Sequence, residues 1–225
     1  MPKKNLKIKF NFDNDVGQRE IFFIANKTRA NIQKLSTLFP YTPVSITIHS
    51  FSKRTAFLKA VGINSAPRWL VASVPPRSTS DIFLHRNQKK LGEANKIDRV
   101  ILHELTHLYT NSLNPNLPDW VKEGISVYIA QQINKLTIST ENWKKIIPGN
   151  IPFEKVRWQT ATKYDGYNIA GLLVRFLVKK YGLKRFLNAL DRHRLQHFSW
   201  NKLTTNFNED GKILLTIFKN NFVKK

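Results

Sequence analysis

Val100-Ile-Leu-His-Glu-Leu-Thr-His-Leu-Tyr109 is the most informative stretch of this 225-residue chain. Its apolar residues recur at helical spacing and predict a helix with a buried face. His103 and His107 lie four residues apart, so a helix sets them about 40° apart around its axis and about 6 Å apart along it. The two imidazoles can then converge on one metal ion. Glu104 projects near that ion and can take a proton from metal-bound water without being a ligand.

The H-E-x-x-H pattern of residues 103–107 is rare by chance. With 6 His and 7 Glu in 225 residues, composition alone gives roughly 0.005 expected occurrences. The alternative is a surface helix whose two histidines have ordinary hydrogen-bond partners. The apolar residues around the motif favour the metal-binding interpretation.

A catalytic zinc ion needs a third protein ligand and one open position. The chain has no cysteine, so this ligand must be a histidine or a carboxylate. Glu123, in Trp120-Val-Lys-Glu-Gly124, lies at the start of the next predicted helix, and a helix–turn–helix can bring this first turn back over the preceding helix. Asp119 is the competing carboxylate. Its position after Pro118 predicts a helix cap whose oxygens are engaged with backbone N–H groups, which favours Glu123.

These residues together resemble a known family. His103-Glu-x-x-His107 followed by Trp120-x-x-Glu-Gly124 is similar to the gluzincin pattern, especially that of the peptidase MA-like group of zinc metallopeptidases. The group's further pattern, a Tyr-x-x-Ala entering a helix that ends Tyr-Gly, is matched by Tyr167-Asn-Ile-Ala170 and Tyr181-Gly182. The resemblance covers roughly residues 80–190 and, more loosely, the preceding strands, and it implies a zincin-like fold.

The resemblance also implies an activity. His103, His107 and Glu123 would bind one Zn²⁺ per chain, and Glu104 would be the general base of a zinc metallopeptidase. Zinc lowers the pKa of its water towards 7 and polarises the scissile carbonyl. Glu104 would accept the water proton and pass it to the leaving amine.

Two further features of the site follow only from the resemblance. Tyr167 would lie near the developing oxyanion, where a phenol O–H donor stabilises negative charge, and Tyr164 is an open alternative for this role. The family's usual arrangement lays the substrate as an extended strand beside the edge of the sheet. Here the predicted edge strand is Asp81–His85, which would bind substrate by β-augmentation; an edge strand that only packs is the alternative.

The patterns along the rest of the chain predict an α+β fold. Alternation predicts strands at Leu6–Phe12, Val44–Phe51, Trp69–Val74 and Asp81–His85, with a helix from Asp15 to about Leu38 between the first two. Helical patterns follow from about Glu93, at Glu93–Ser112, Asp119–Ile133, Thr140–Ile147, Gly166–Tyr181, Leu183–Arg192 and Glu209–Phe222. We therefore expect a mixed β-sheet lobe with the active-site helix over residues 1–113. A helical lobe over residues 114–225 would complete a single catalytic unit.

The formal net charge of +22 leaves two interpretations open. It indicates an acidic partner, such as nucleic acid, anionic lipid or a negatively charged substrate, or it reflects compositional drift towards lysine. No helix-turn-helix signature, RNP-type motif or zinc finger accompanies the basic residues. The second hypothesis is accordingly a basic nucleic-acid-associated protein whose zinc site is structural or catalytically silent. A third is a small-peptide or non-peptide metallohydrolase with the same site.

The remaining expectations concern partners and location. We expect a peptide or protein substrate, acidic ones included, and assume a monomer. The N-terminal residues carry no apolar run typical of a signal peptide. No stretch approaches the roughly 20 apolar residues that span a bilayer. The sequence therefore predicts a cytoplasmic protein without a membrane span.

Overall fold

The computed structural model describes residues 6–13, 17–86, 94–192, 194 and 197–224. These residues form helices and a small mixed sheet, which is consistent with the predicted α+β class. They divide into two compact units, Met1–Leu113 and Asn114–Lys225. Among the described residues, no helix is both long and apolar enough to cross a membrane.

The first unit contains a four-stranded sheet of order β1-β2-β4-β3. The β1–β2 and β2–β4 pairs are parallel, whereas β3 is antiparallel to β4. Buried and half-buried residues alternate along β2 and β4, as expected for strands that bury one face. The strands are β1 Lys7–Phe12, β2 Ser45–Phe51, β3 Ala72–Ser73 and β4 Asp81–His85.

The prediction that Asp81–His85 is an edge strand is wrong. This strand, β4, has β2 on one side and β3 on the other. The predicted strand Trp69–Val74 folds back along it, although only two of its residues form ladder pairs. Pro75 and Pro76 follow directly, and proline cannot donate to a ladder, so β3 stays short. The outer strand on this side of the sheet is therefore β3, and substrate pairing along Asp81–His85 loses its basis.

Among the described residues, the helices of the first unit are α1 Gln18–Leu38, α2 Arg54–Val61 and α3 Ala94–Leu113. The predicted starts of α1 at Asp15 and α3 at Glu93 lie outside the described residues. α2 was not predicted. It has only eight residues, and so short an apolar pattern does not distinguish a helix from a strand; in the structure it buries a single residue, Phe57.

Hydrogen bonds fix α3 against α1. The hydroxyl of buried Tyr109 donates to the backbone oxygen of Ile32 at 3.2 Å and lies 2.7 Å from Ser36 Oγ. Burial raises the pKa of the Tyr109 phenol, so it remains a donor at neutral pH. Near the other end of the same helix, Asn31 Nδ2 donates to Asp98 Oδ1 at 3.0 Å. The helix that carries the H-E-x-x-H motif is thus held at both ends.

The second unit is mainly helical, and its α7 begins and ends at the predicted residues. Gly182 follows α7 with φ +82°, a conformation that favours glycine. The small parallel sheet of β5 and β6 was not predicted, because two-residue strands show no periodicity. The elements are α4 Asp119–Ile129, β5 Ile138–Ser139, α5 Thr140–Ile146, α6 Trp158–Ala161, α7 Gly166–Tyr181, α8 Leu183–Asp191, α9 Trp200–Thr205, α10 Gly211–Phe222 and β6 Val223–Lys224.

Glycines allow α4 and α7 to approach closely. A Cβ added at Gly124 would lie 2.7 Å from the backbone oxygen of Ala170, which is too close for any side chain. A Cβ at Gly171 would lie 2.5 Å from Val127 Cγ1. Gly124 directly follows Glu123, so this close packing fixes the first turns of α4.

Candidate metal centre

Residues 101–110 of α3 are all buried except His103 and His107. Ile101, Leu105 and Leu108 are at most 3% exposed, whereas His103 and His107 are half-buried. The apolar residues that predicted the helix are thus buried, and the two histidines are the part of this stretch that stays partly exposed. Both imidazoles therefore keep access to a ligand.

The two histidines face each other through the same ring atom. His103 Nε2 and His107 Nε2 lie 3.1 Å apart, and the rings are inclined by 70°. Two nitrogens bound to a tetrahedral zinc ion at about 2.0–2.1 Å lie roughly 3.3 Å from each other. The observed spacing is therefore close to that of two ligands of one metal ion.

Glu123 lies in the first turns of α4, which packing holds in place. Trp120, at the start of this helix, is 5% exposed and stacks on Phe153 with ring centroids 5.6 Å apart. Asp119, the competing carboxylate, is exposed. The prediction that it caps the helix is wrong: it is the first helical residue, Pro118 is the cap, and no side-chain bond caps this end.

Glu123 and the two histidines form a group that could hold a metal ion. His103, His107 and Glu123 each offer one ligand atom, and these atoms all lie within 4.8 Å of one another. Within the described part of the chain, this is the only such group of His, Cys, Asp and Glu side chains. Two imidazoles and one carboxylate are a donor set that zinc accepts when a fourth position stays open for water or substrate. The residues therefore fit the metal that the sequence predicts.

Glu104 is unusual in its burial. It is 8% exposed, and among the described residues only Glu104 and Arg86 are buried side chains of the Asp, Glu, Lys and Arg types. A carboxylate on an ordinary helix surface stays in water, because burial of a charge is costly. The motif thus supplies a desolvated carboxylate directly beside the predicted ligand His103.

The two candidate oxyanion donors lie close together in the second unit. Tyr167 is the second residue of α7, is half-buried, and packs edge-to-face on Trp158 with ring centroids 5.0 Å apart. Tyr164 is also half-buried and ends a short 3-10 turn, Thr162–Tyr164. The choice between them stays a prediction.

Two asparagines that position the site's elements were missed from the sequence. Buried Asn111 on α3 donates from Nδ2 to the backbone oxygen of Ser78 at 2.7 Å, which joins the motif helix to the loop before β4. Buried Asn168 accepts from the backbone N–H groups of Asn134 and Lys135 and so fixes the segment after α4. An isolated polar residue in a helical pattern gives no sign of such contacts; only its place on an apolar face could have indicated burial.

No protein-family model matches this sequence, and neither a curated protein nor a solved structure matches the chain. The function of the chain is therefore inferred from the residues of the site. The strongest of these are the three candidate ligands and the buried carboxylate beside them.

Proposed function

We propose that this protein is a zinc-dependent metallopeptidase of gluzincin type with a zincin-like fold. The observation that carries the proposal is the group formed by His103, His107 and Glu123, with one ligand atom of each within 4.8 Å of the others. In the sequence, these three residues are spaced as the two histidines and the second glutamate of the H-E-x-x-H … W-x-x-E-G pattern are. The parallel β1–β2–β4 arrangement and the anchoring of α3 by Asn111 support the fold part of the proposal.

The donor set alone does not distinguish zinc from iron. Two histidines and one carboxylate also hold Fe(II) in oxygenases. The buried Glu104, which directly follows a ligand on the same helix, favours hydrolysis, since hydrolysis needs a proton acceptor beside the metal. When bound, Zn²⁺ supplies a Lewis acid that lowers the pKa of water and polarises a carbonyl.

The chain's own residues would then perform the proton transfers. Glu104 accepts a proton from the attacking water and donates it to the amine that leaves the peptide bond. Tyr167, or Tyr164 in its place, donates its phenol O–H to the oxygen that becomes negatively charged.

Peptide-library cleavage tests this proposal directly. The purified protein is incubated with a complex peptide mixture, with and without a chelator, and the products are identified by mass spectrometry. We expect cleavage that the chelator abolishes and added Zn²⁺ restores, together with about one zinc per chain by elemental analysis. Cleavage that survives complete removal of the metal would contradict the proposal, and stoichiometric iron would redirect it to oxygenase chemistry.

The net charge of +22 favours a second candidate, a nucleic-acid-associated protein with a structural or catalytically silent zinc site. Affinity for duplex and single-stranded DNA across a salt series tests it. Such a protein binds at physiological salt, and its affinity falls steeply as salt rises because counterions are released from the phosphates. Absence of binding, or a flat salt response, removes this candidate.

A further inference from the structure

A cavity of about 160 Å³ lies in the first unit, between α1, the β3–β4 region and the start of α3. Two of its lining residues, Trp69 and Lys96, are exposed, so the cavity opens to solvent on their side. None of the three candidate metal ligands lines it. Most of the lining residues are apolar, namely Ile24, Trp69, Val71, Leu84, Ile97 and Val100.

Two polar lining residues, Glu20 and Arg86, are paired with charges of the chain itself. Arg86 Nη1 donates to Glu20 Oε2 at 3.3 Å, and Arg86 Nη2 donates to Asp13 Oδ1. The side chain of Arg86 is only 2% exposed and that of Glu20 only 13%. Two further atoms of the pair, Glu20 Oε1 and Arg86 Nε, are buried, so a molecule inside the cavity does not reach them. The pair therefore gives a ligand no hydrogen bond through these atoms, and its charges balance each other.

The other two polar lining residues, His85 and Lys96, place no charge inside the cavity. Burial, together with the positive charges of Arg54 and Arg86, lowers the pKa of His85, so its imidazole is neutral at pH 7. His85 Nδ1 is itself buried. Lys96 is exposed, and a surface lysine lays its apolar stem along neighbouring groups while its ammonium stays in water. The interior of the cavity is thus apolar in character.

These walls determine the chemistry of a ligand. Water inside an apolar cavity finds few hydrogen-bond partners, so an apolar molecule displaces it favourably. A polar or charged group that enters the same space loses its water shell without gaining a partner, which is costly. Apolar cavities of about 150 Å³ hold a molecule of the size of benzene. The ligand that fits is therefore apolar and about as large as one aromatic ring.

We propose that this cavity binds a small uncharged apolar molecule of about the size of one aromatic ring. The ring lies against Ile24, Leu84 and Val100 and makes no hydrogen bond. Binding is driven by the burial of apolar surface and the release of water from the cavity. This site is separate from the proposed peptidase chemistry and does not depend on it, since no candidate metal ligand lines it.

Benzene is the probe, and its binding to the full-length protein is followed by calorimetry and by amide chemical shifts. We expect saturable binding with a Kd of roughly 1 mM or below, with the largest changes in chemical shift at the lining residues. Pyrazine has the size and shape of benzene but carries nitrogens at opposite ends of its ring. One nitrogen must therefore lose its water on entering the cavity, so pyrazine should bind at least about tenfold more weakly.

Cavity-filling variants locate the binding. Val100→Phe puts an aromatic ring into the cavity and should weaken benzene binding at least about tenfold. Val44→Phe adds the same volume at a position that is 63% exposed and should leave binding unchanged. Val71→Phe, at another lining position, replaces the first variant if that one melts without a cooperative transition.

Several results would overturn the assignment. One is the absence of saturable benzene binding up to the solubility limit of benzene. Equal affinity of the wild-type protein and the cavity-filling variant, or an equal loss of affinity in Val44→Phe, would show that the ligand does not occupy this cavity. Pyrazine that binds as tightly as benzene would show that polar contacts hold the ligand, which would reject the apolar chemistry.

Discussion

Two clusters of polar side chains differ in how their atoms face one another. In the candidate metal centre, His103 and His107 point two nitrogens at each other at 3.1 Å, and Glu123 completes the group. In the Arg86 cluster, defined by Asp13, Glu20 and Arg86, opposite charges are paired directly. The first arrangement concentrates electron-pair donors, which is favourable around a cation. The second neutralises a buried cation with the chain's own carboxylates.

The two clusters are therefore expected to matter for different properties, the metal centre for metal binding and the Arg86 cluster for the stability of the folded state. The candidate ligands contribute most when a metal ion binds, because metal-binding free energy is added to the free energy of folding. Removal of one partner of a buried ion pair destabilises the folded state, because the remaining charge is left uncompensated. Substitutions in the two clusters should therefore affect different measurements.

The largest effect is expected at Glu104. Glu104→Gln keeps the size of the side chain but removes the proposed proton acceptor, so the proposed peptide hydrolysis should fall about 10³-fold or more while the zinc content stays that of the wild-type protein. Initial rates on a cleaved library peptide and elemental analysis of the same sample measure both quantities. Glu141→Gln, at an exposed position on α5, is the matched control and should change neither. Hydrolysis that persists in Glu104→Gln would mean that another group is the base.

The next effect is on stability and concerns Arg86. Arg86→Met retains much of the side-chain volume but leaves Asp13 and Glu20 without their cation, so the free energy of unfolding should fall by about 3 kcal/mol. Urea denaturation measures the loss, and zinc bound per folded molecule should be unchanged. Arg68→Met, at an exposed position in the same unit, should cost less than about 0.5 kcal/mol. Equal losses in the two variants would show that the cluster is not a source of stability.

Glu123 should affect metal binding and leave folding largely intact. Glu123→Ala removes one of the three proposed metal ligands, so zinc affinity should fall by at least about 100-fold. Asp119→Asn changes the exposed carboxylate one turn earlier and should leave the affinity as it was. Competition with a chromogenic chelator gives both constants. The reverse outcome, loss of affinity only in Asp119→Asn, would reassign the third ligand.

The two clusters also differ in how far the sequence predicts them. The histidines are predictable because both lie on one helix, where a four-residue spacing fixes their relative position. Glu123 follows after one short turn, and the apolar patterns of both helices are long enough to detect. The Arg86 cluster has no such signal, since Asp13 and Glu20 are 73 and 66 residues from Arg86 and meet it only through the fold.

The same distinction explains the errors in the predicted fold. The prediction of a helix over Gly166–Tyr181 was correct because its sixteen residues follow the apolar spacing of a helix and Gly182 ends the helix. The position of Asp81–His85 inside the sheet depends on β3, whose two paired residues give no alternation of their own. Strand order is a property of non-local pairing, so a correctly predicted strand can still be assigned to the wrong place in the sheet.

The smallest effect is the pH dependence that the Arg86 cluster adds to stability. Burial raises the pKa of Asp13, but hydrogen bonds from Ser52 and the charge of Arg86 outweigh it, so the pKa lies below its ordinary value. The folded state therefore binds this proton less tightly than the unfolded state. The resulting stability is present above the unfolded pKa of about 4 and is lost as the pH falls through the folded pKa. In urea denaturation, the difference between the wild-type protein and Asp13→Asn should thus be constant from pH 7 to about pH 5 and should shrink at lower pH. Release of the metal at low pH affects both proteins alike, so it cancels in this difference. A difference that does not change with pH would mean that the Asp13 charge contributes nothing to stability.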